Sequence, residues 1–246
     1  MPYDFFVLSL LIWIPGLVIL CIRPDLRRLA ITLCGFSLPF AFTETLFYPH
    51  YWEPSFIANL GERLGFGLED FLFVTGLAAY TSTAYAVIHK KKLDHRPTNW
   101  RLASGLGLVA AGMLGILVAL NVPILYTTFL VTGGLTVAMV IRRNDLLAPA
   151  LLGGLWSTVI YLGVCLAFGE IFPGSFQTTW HTEHYIYRFL WGVPVEELLY
   201  GMFCGAAGTV FYPFISGARF RPLHGIILNR RNMHWDGRAR ASSGKR

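Results

Sequence analysis

The chain reads as an all-α membrane protein of seven transmembrane helices, arranged as two parallel three-helix repeats (helices 1–3 and 5–7) joined by helix 4. Three observations predict this. Of 246 residues, 54% are hydrophobic and only 14% charged. Ordinary soluble domains carry roughly 25% charged residues, so this chain has too few polar side chains to face water all round. Uncharged apolar runs of about 20 residues, the length that crosses a bilayer core as a helix, recur along the whole sequence. A short acidic motif also appears twice, at equivalent places in the two halves.

Phe5 to Ile22 contains no Asp, Glu, Lys or Arg and forms the first span. Leu29 to Thr43 forms the second, its apolar character continuing past Glu44 to Phe47. Phe71 to Ile88, with one more turn before it, forms the third. Leu102 to Ile141 is uncharged throughout, and Asn121-Val122-Pro123 breaks it into the fourth and fifth. Leu146 to Gly169 is the sixth and Trp191 through Pro213 the seventh. Only helices satisfy their own backbone polar groups across so many separate spans. The chain divides into a first repeat with its loop (1–101), the linker helix 4 (102–123), a second repeat (124–218) and a basic tail (219–246).

Segments 23–28, 89–101, 142–145 and 219–246 hold 18 of the 20 Lys and Arg residues, and the other side holds only Arg63 and Arg188. The positive-inside rule then places the C-terminus in the cytoplasm and the N-terminus outside, in the cell (inner) membrane. The basic tail is a topological anchor that touches anionic headgroups, and no nucleic-acid partner is expected. Asp4 in place of basic residues before the first span argues against a cleaved signal peptide. Cys21, Cys34, Cys165 and Cys204 lie in apolar runs without CxxC spacing, as small core residues do.

The carboxylates do the reverse: ten of the 14, including Glu44, Glu69, Asp70, Glu170, Glu196 and Glu197, lie on the outer side or in its half of the membrane. Gly65-Phe66-Gly67-Leu68-Glu69-Asp70-Phe71-Leu72-Phe73 aligns without a gap with Gly192-Val193-Pro194-Val195-Glu196-Glu197-Leu198-Leu199-Tyr200. Upstream, Glu44 with Leu46-Phe47-Tyr48-Pro49 echoes Glu170 with Ile171-Phe172-Pro173, Trp52 echoes Trp180, and Arg63 echoes Arg188. Two three-span units joined by one further span run parallel, related by a pseudo-twofold axis along the membrane normal. Such an axis draws the two acidic helix starts together near the outer face.

Ionisable groups inside membrane helices cost roughly 2.5–3.5 kcal/mol each and by default mark function. An acid in a first helical turn also serves as a cap to the helix dipole, and Pro194 fits the first-turn position of helix 7. Helical spacing puts Glu196 on a face with Tyr200, Phe203 and Ala207, and Glu69 with Phe73, Gly76, Tyr80 and Thr83. Glu197 stands instead above Gly201, Gly205 and Gly208, a spacing for close helix packing. Carboxyls crowded into an apolar site cannot all ionise, so a protonated acid sits beside an ionised base. That pairing moves protons to and from an apolar substrate, and aromatic faces stabilise the cation an alkene forms on protonation. The expected donor and acceptor are Glu196 and Glu69, tuned by Glu197, Asp70, Glu44 and Glu170. Phe73, Tyr80, Tyr200, Phe203 and Trp180 would line the substrate, although aromatic stripes at this spacing are often plain packing. Arg63 and Arg188 are expected to pair with the carboxyls. His181, His184, Glu183 and His50 have a spacing that allows a metal, but interfacial histidines more often hydrogen-bond at headgroup level; no metal and no cofactor is expected.

At these motifs the sequence resembles the lycopene cyclase domain family of integral-membrane carotenoid cyclases, built from two small three-helix subunits in some bacteria and fused into one chain elsewhere. Its signature is Pro-x-Glu-Glu/Asp at the start of a membrane helix in each half. Pro194-Val195-Glu196-Glu197 matches it fully, and Gly67-Leu68-Glu69-Asp70 matches apart from Gly67 in place of Pro. The flanking segments, from Leu46-Phe47 to Arg63 and from Trp180-His181-Thr182-Glu183 to Tyr200, resemble a fused bacterial branch. The resemblance implies redox-neutral closure of linear carotenoid ends into ionone-type rings, with an apolar polyene or terpenoid and the lipid bilayer as the partners.

Other readings fall away on particular residues. A retinal protein needs a buried lysine, and Lys90, Lys91, Lys92 and Lys245 all lie in loops or the tail. The chain has no GxGxxG, no pair of Asp-rich magnesium motifs, no Gly-x-Ser-x-Gly and no His-Glu-x-x-His. The alternative to an enzyme is a carotenoid- or lipid-binding protein, or a proton-coupled carrier, using the same acids.

Overall fold

The computed structural model describes residues 3–94 and 96–223. Seven helical segments in it are long and apolar enough to cross a membrane. They are α1 (Asp4–Ile22), α2 (Pro24–Phe47), α3 (Leu68–Ile88), α4 (Trp100–Ala119), α5 (Ile124–Arg142), α6 (Asn144–Ile171) and α7 (Val195–Ser216). Four short strands lie outside them: β1 (Lys91–Leu93) pairs with β4 (Phe220–Pro222), and β2 (Phe189–Leu190) with β3 (Val193–Pro194), both antiparallel. The protein is therefore an all-α membrane protein. The basic tail expected from residue 219 lies, beyond 223, outside the described residues.

Local chemistry explains where the helices depart from regularity. In α2 the α-helix Arg27–Ser37 tightens to 3-10 geometry over Leu38–Thr43 before Glu44–Phe47 resumes. Pro39 lacks an N–H and its ring crowds the preceding turn. The last helix starts at Val195 rather than Trp191, because Trp191 (φ 52) and Gly192 (φ 83) are both left-handed. Two such residues in a row make the turn that joins closely paired antiparallel strands, here β2 and β3. Pro194 consequently stands just before α7, in β3, and not in the first turn. Gly217 (φ 67) ends the helix in the left-handed conformation that glycine adopts without strain.

α3 packs between α1 and α2, and α7 between α6 and α5; α1 also meets α6, and α3 meets α7. Lipid offers no hydrophobic drive between helices, so contact depends on close backbone approach. A Cβ at Gly205 would stand 2.3 Å from Ser157 Cβ, and one at Gly16 would stand 2.8 Å from Ala79 Cβ. Gly201 and Gly205 thus seat α7 on α6, while a Cβ at Gly208 would stand 2.7 Å from Thr81 Oγ1 of α3. Thr209 Oγ1 donates to Thr81 O (2.9 Å), a buried hydrogen bond from α7 to α3. α4 packs on α5, yet only 6% of its apolar window is buried.

At the basic end of the bundle two corners repeat each other. Arg23 Nε and Nη2 hold both oxygens of Asp25 at 2.8 Å, and the same guanidinium donates to Lys91 O (2.7 Å) and Ala86 O (3.4 Å). Arg143 holds Asp145 through Nε (3.1 Å) and Nη2 (2.6 Å) and donates to Pro213 O (2.6 Å) and Ala218 O (2.9 Å). Each planar fork braces a helix turn, one against the end of α3 and the other against the end of α7. At the acidic end, Trp52 and Trp180 form an isolated antiparallel bridge. Glu53 N–H donates to Thr179 O (2.8 Å) and His181 N–H to Tyr51 O (2.7 Å), so the loops before α3 and α7 are stitched to each other.

Replacing Gly205 by leucine is expected to cost at least about 1–3 kcal/mol through overpacking, whereas Gly115→Leu on α4, where a Cβ meets nothing within 4 Å, should stay within about 0.5 kcal/mol. Unfolding midpoints of the two variants in detergent compare them directly.

Candidate functional site

The site forms where the first turns of α3 and α7 meet the two stitched loops. Glu69 and Asp70 are the second and third residues of α3, and Glu196 and Glu197 those of α7. All four are buried, Glu69 and Glu196 completely.

Neighbours one residue apart on a helix point about 100° away from each other, and the members of each pair have different surroundings. Glu197 faces the interior. Its Oε1 accepts from Tyr51 Oη (2.6 Å) and Trp180 Nε1 (2.9 Å), and its Oε2 from Tyr161 Oη (2.6 Å). Three donors of this kind suit an ionised carboxylate, which only accepts. Burial and the adjacent Glu197 push the Tyr51 phenol well above its ordinary range, so it keeps its proton and remains a donor. Asp70, the counterpart of Glu197, accepts from Gly67 N–H (2.7 Å), and Glu44 beside it accepts from Trp52 Nε1. Neighbouring carboxyls in an apolar interior cannot both ionise freely.

The outer members face the loops. Glu196 Oε1 accepts from Tyr187 N–H (2.8 Å), and Glu69 Oε1 accepts from Ile57 N–H. The remaining oxygen of each is buried and has no hydrogen-bond partner among the described residues. Glu69 lies on the α1 side, where Ser9 Oγ donates to its backbone carbonyl (3.1 Å).

Rings join these groups. Trp52 lies 5.1 Å from Trp180 and 6.4 Å from Phe73, which is 6.4 Å from Tyr200, which is 6.3 Å from Tyr161. A second run leads from Tyr51 to Tyr185 (5.2 Å) and on to Tyr126 (5.4 Å); farther along α5, Phe129 stacks on Phe203 at 5.1 Å. The structure thus gathers Glu44, Asp70, Glu196, Glu197, Phe73, Tyr200 and Trp180. Tyr80 is fully buried on α3, its hydroxyl without a hydrogen-bond partner among the described residues, and Phe203 belongs to the second run.

Three expected residues stand elsewhere. Glu170 is exposed near the end of α6. Tyr161 from α6 meets Glu197, much as Glu44 from α2 meets Asp70, so the sequence echo of Glu44 is not its spatial equivalent. Arg63 and Arg188 are exposed and form no ion pair among the described residues, which corrects the expected pairing. Burying a guanidinium is expensive, and the carboxyls are satisfied instead by neutral phenol, indole and backbone donors. His181 sits between two exposed acids, 3.9 Å from Glu53 and 4.0 Å from Glu183.

Tyr51, Trp52 and Tyr161 were not anticipated as site residues. The Trp52/Trp180 echo and the polar series Ser157, Tyr161, Cys165 at four-residue spacing in an apolar helix were visible signals. Tyr51 had none, since only folding of its loop brings it to Glu197.

No curated protein and no solved structure matches the chain. The family model described as lycopene cyclase matches residues 123–215. The matched stretch builds α5, α6 and α7, and it carries Tyr161, Trp180, Glu196 and Glu197.

Proposed function

We propose that the chain is a redox-neutral acid–base cyclase of linear carotenoid or related terpenoid ends. The observation that carries this reading is the adjacent pair on α7. Glu197 is held by three donors, as an anion is, while Glu196 beside it keeps a buried oxygen with no partner among the described residues. A carboxyl with no acceptor for its hydroxyl is free to give that proton to an alkene.

In this reading Glu196 protonates one carbon of the terminal double bond and leaves a cation on the other. The next double bond attacks that carbon and closes the ring, which moves the charge into the ring. Loss of a ring proton forms the new double bond, so substrate and product are isomers. The aromatic faces and the Glu197 carboxylate lower the energy of the cation. Glu44 and Asp70, neighbouring carboxyls that cannot both ionise freely, have room for the proton released. No electron leaves the substrate.

The paired corners at Arg23 and Arg143, and the matching hydrogen bonds of Glu69 and Glu196, support two three-span units related by an axis along the membrane normal. The excess of Lys and Arg at one end supports placing the acidic end on the outer side.

Wild-type protein in a lycopene-accumulating host is expected to yield a cyclic pigment of unchanged mass. Glu196→Gln should lower the yield by about 10²–10⁴-fold, the range for loss of a general acid. Hosts making various linear terpenoids that show no cyclic product would reject the reading. Tyr51→Phe and Tyr161→Phe each remove one donor from Glu197, which at about 1.5–3 kcal/mol per charged hydrogen bond should slow turnover about 10- to 100-fold. Unaltered initial rates in both would show that Glu197 does not face the cation.

A further inference from the structure

We infer that Glu69 is a positioning residue rather than a second proton carrier: it latches the loop before α3, and the second half of the molecule holds the reactive acid. This rests on the cyclase reading. The departure of Gly67 from the Pro-x-Glu pattern is the first observation. A Cβ at position 67 would stand 2.5 Å from Glu69 Oε2 and 2.6 Å from Phe56. The carboxyl of Glu69 therefore lies in the space a proline ring would take. In the second half Pro194 occupies that position, and Glu196 Oε1 accepts from Tyr187 N–H (2.8 Å).

The second observation is what Glu69 holds. Its Oε1 accepts from Ile57 N–H, and Ser9 Oγ of α1 donates to its backbone carbonyl (3.1 Å). Ile57 opens a tight turn in which Ala58 (φ 55) and Asn59 (φ 52) are left-handed without being glycine. Such residues persist only where their surroundings hold them. Phe56, packed edge-on against Phe5 and Tyr48 at 5.3 and 5.5 Å, encloses this point.

Third, the latched loop carries Tyr51 and Trp52, the donors to Glu197 and Glu44. Glu69 thus acts on the chemistry through the loop. Glutamine at position 69 keeps an oxygen for Ile57 N–H and lacks only the acid; alanine loses both.

The experiment follows amide exchange at Ile57 in the full-length protein in detergent, together with cyclisation of lycopene in proteoliposomes. We expect slow Ile57 exchange in wild type and Glu69→Gln, and exchange about tenfold or more faster in Glu69→Ala. Glu69→Gln should keep kcat within about threefold of wild type with the same pH profile, while Glu69→Ala raises KM. A Glu69→Gln protein as inactive as Glu196→Gln, with Ile57 still protected, would overturn the inference, as would unchanged Ile57 exchange in Glu69→Ala. If the wild type forms no cyclic product, the cyclase reading fails, and the exchange measurement still decides whether the latch exists.

Discussion

The buried Glu197 carboxylate is the constraint from which the rest of the acidic end follows. An unpaired charge in an apolar interior is prohibitively costly. Here the cost is met by Tyr51 from the loop before α3, Tyr161 from α6 and Trp180 from the loop before α7. All three must arrive together, because a half-satisfied buried network is worse than none. The loops cannot then be placed independently: the Trp52–Trp180 bridge fixes their mutual register, and the same two indoles serve Glu44 and Glu197. One composite site results, and neither half completes it alone.

The choice of neutral donors has an electrostatic meaning. An arginine forked onto Glu197 would stabilise the carboxylate but cancel its field. Phenol and indole donors stabilise the charge and leave it negative. In the proposed reaction, a cation formed nearby would meet an uncompensated anion in a medium of low dielectric, where the attraction is strong. The exposed positions of Arg63 and Arg188 are in keeping with this, and the arginines that do form forked pairs, Arg23 and Arg143, lie at the other end of the bundle.

Much of this was legible in the sequence. Counting uncharged runs located all seven spans, because a lipid-facing helix has little freedom in composition. The duplicated acidic motif marks the first turns of α3 and α7, where the structure buries four carboxyls. Other features are set by geometry that residue spacing does not encode. The phase of α3 and α7 decides which acid of each pair faces inward, and it assigns that place to Asp70 and Glu197. The left-handed turn at Trp191-Gly192 moves the start of α7 by four residues. The Glu170 echo misled because likeness along a chain need not mean likeness in space; Tyr161 took that role on α6. The Arg-x-Asp-Leu repeat at residues 23–26 and 143–146 was in plain view and is as informative as the acidic motif.

α4 is the least committed part of the bundle. Most of its residues are exposed, and every residue assigned to the proposed reaction lies on other segments. It is a peripheral helix, seated on α5. In the proposed arrangement of parallel three-span units, the added crossing of α4 serves direction rather than chemistry.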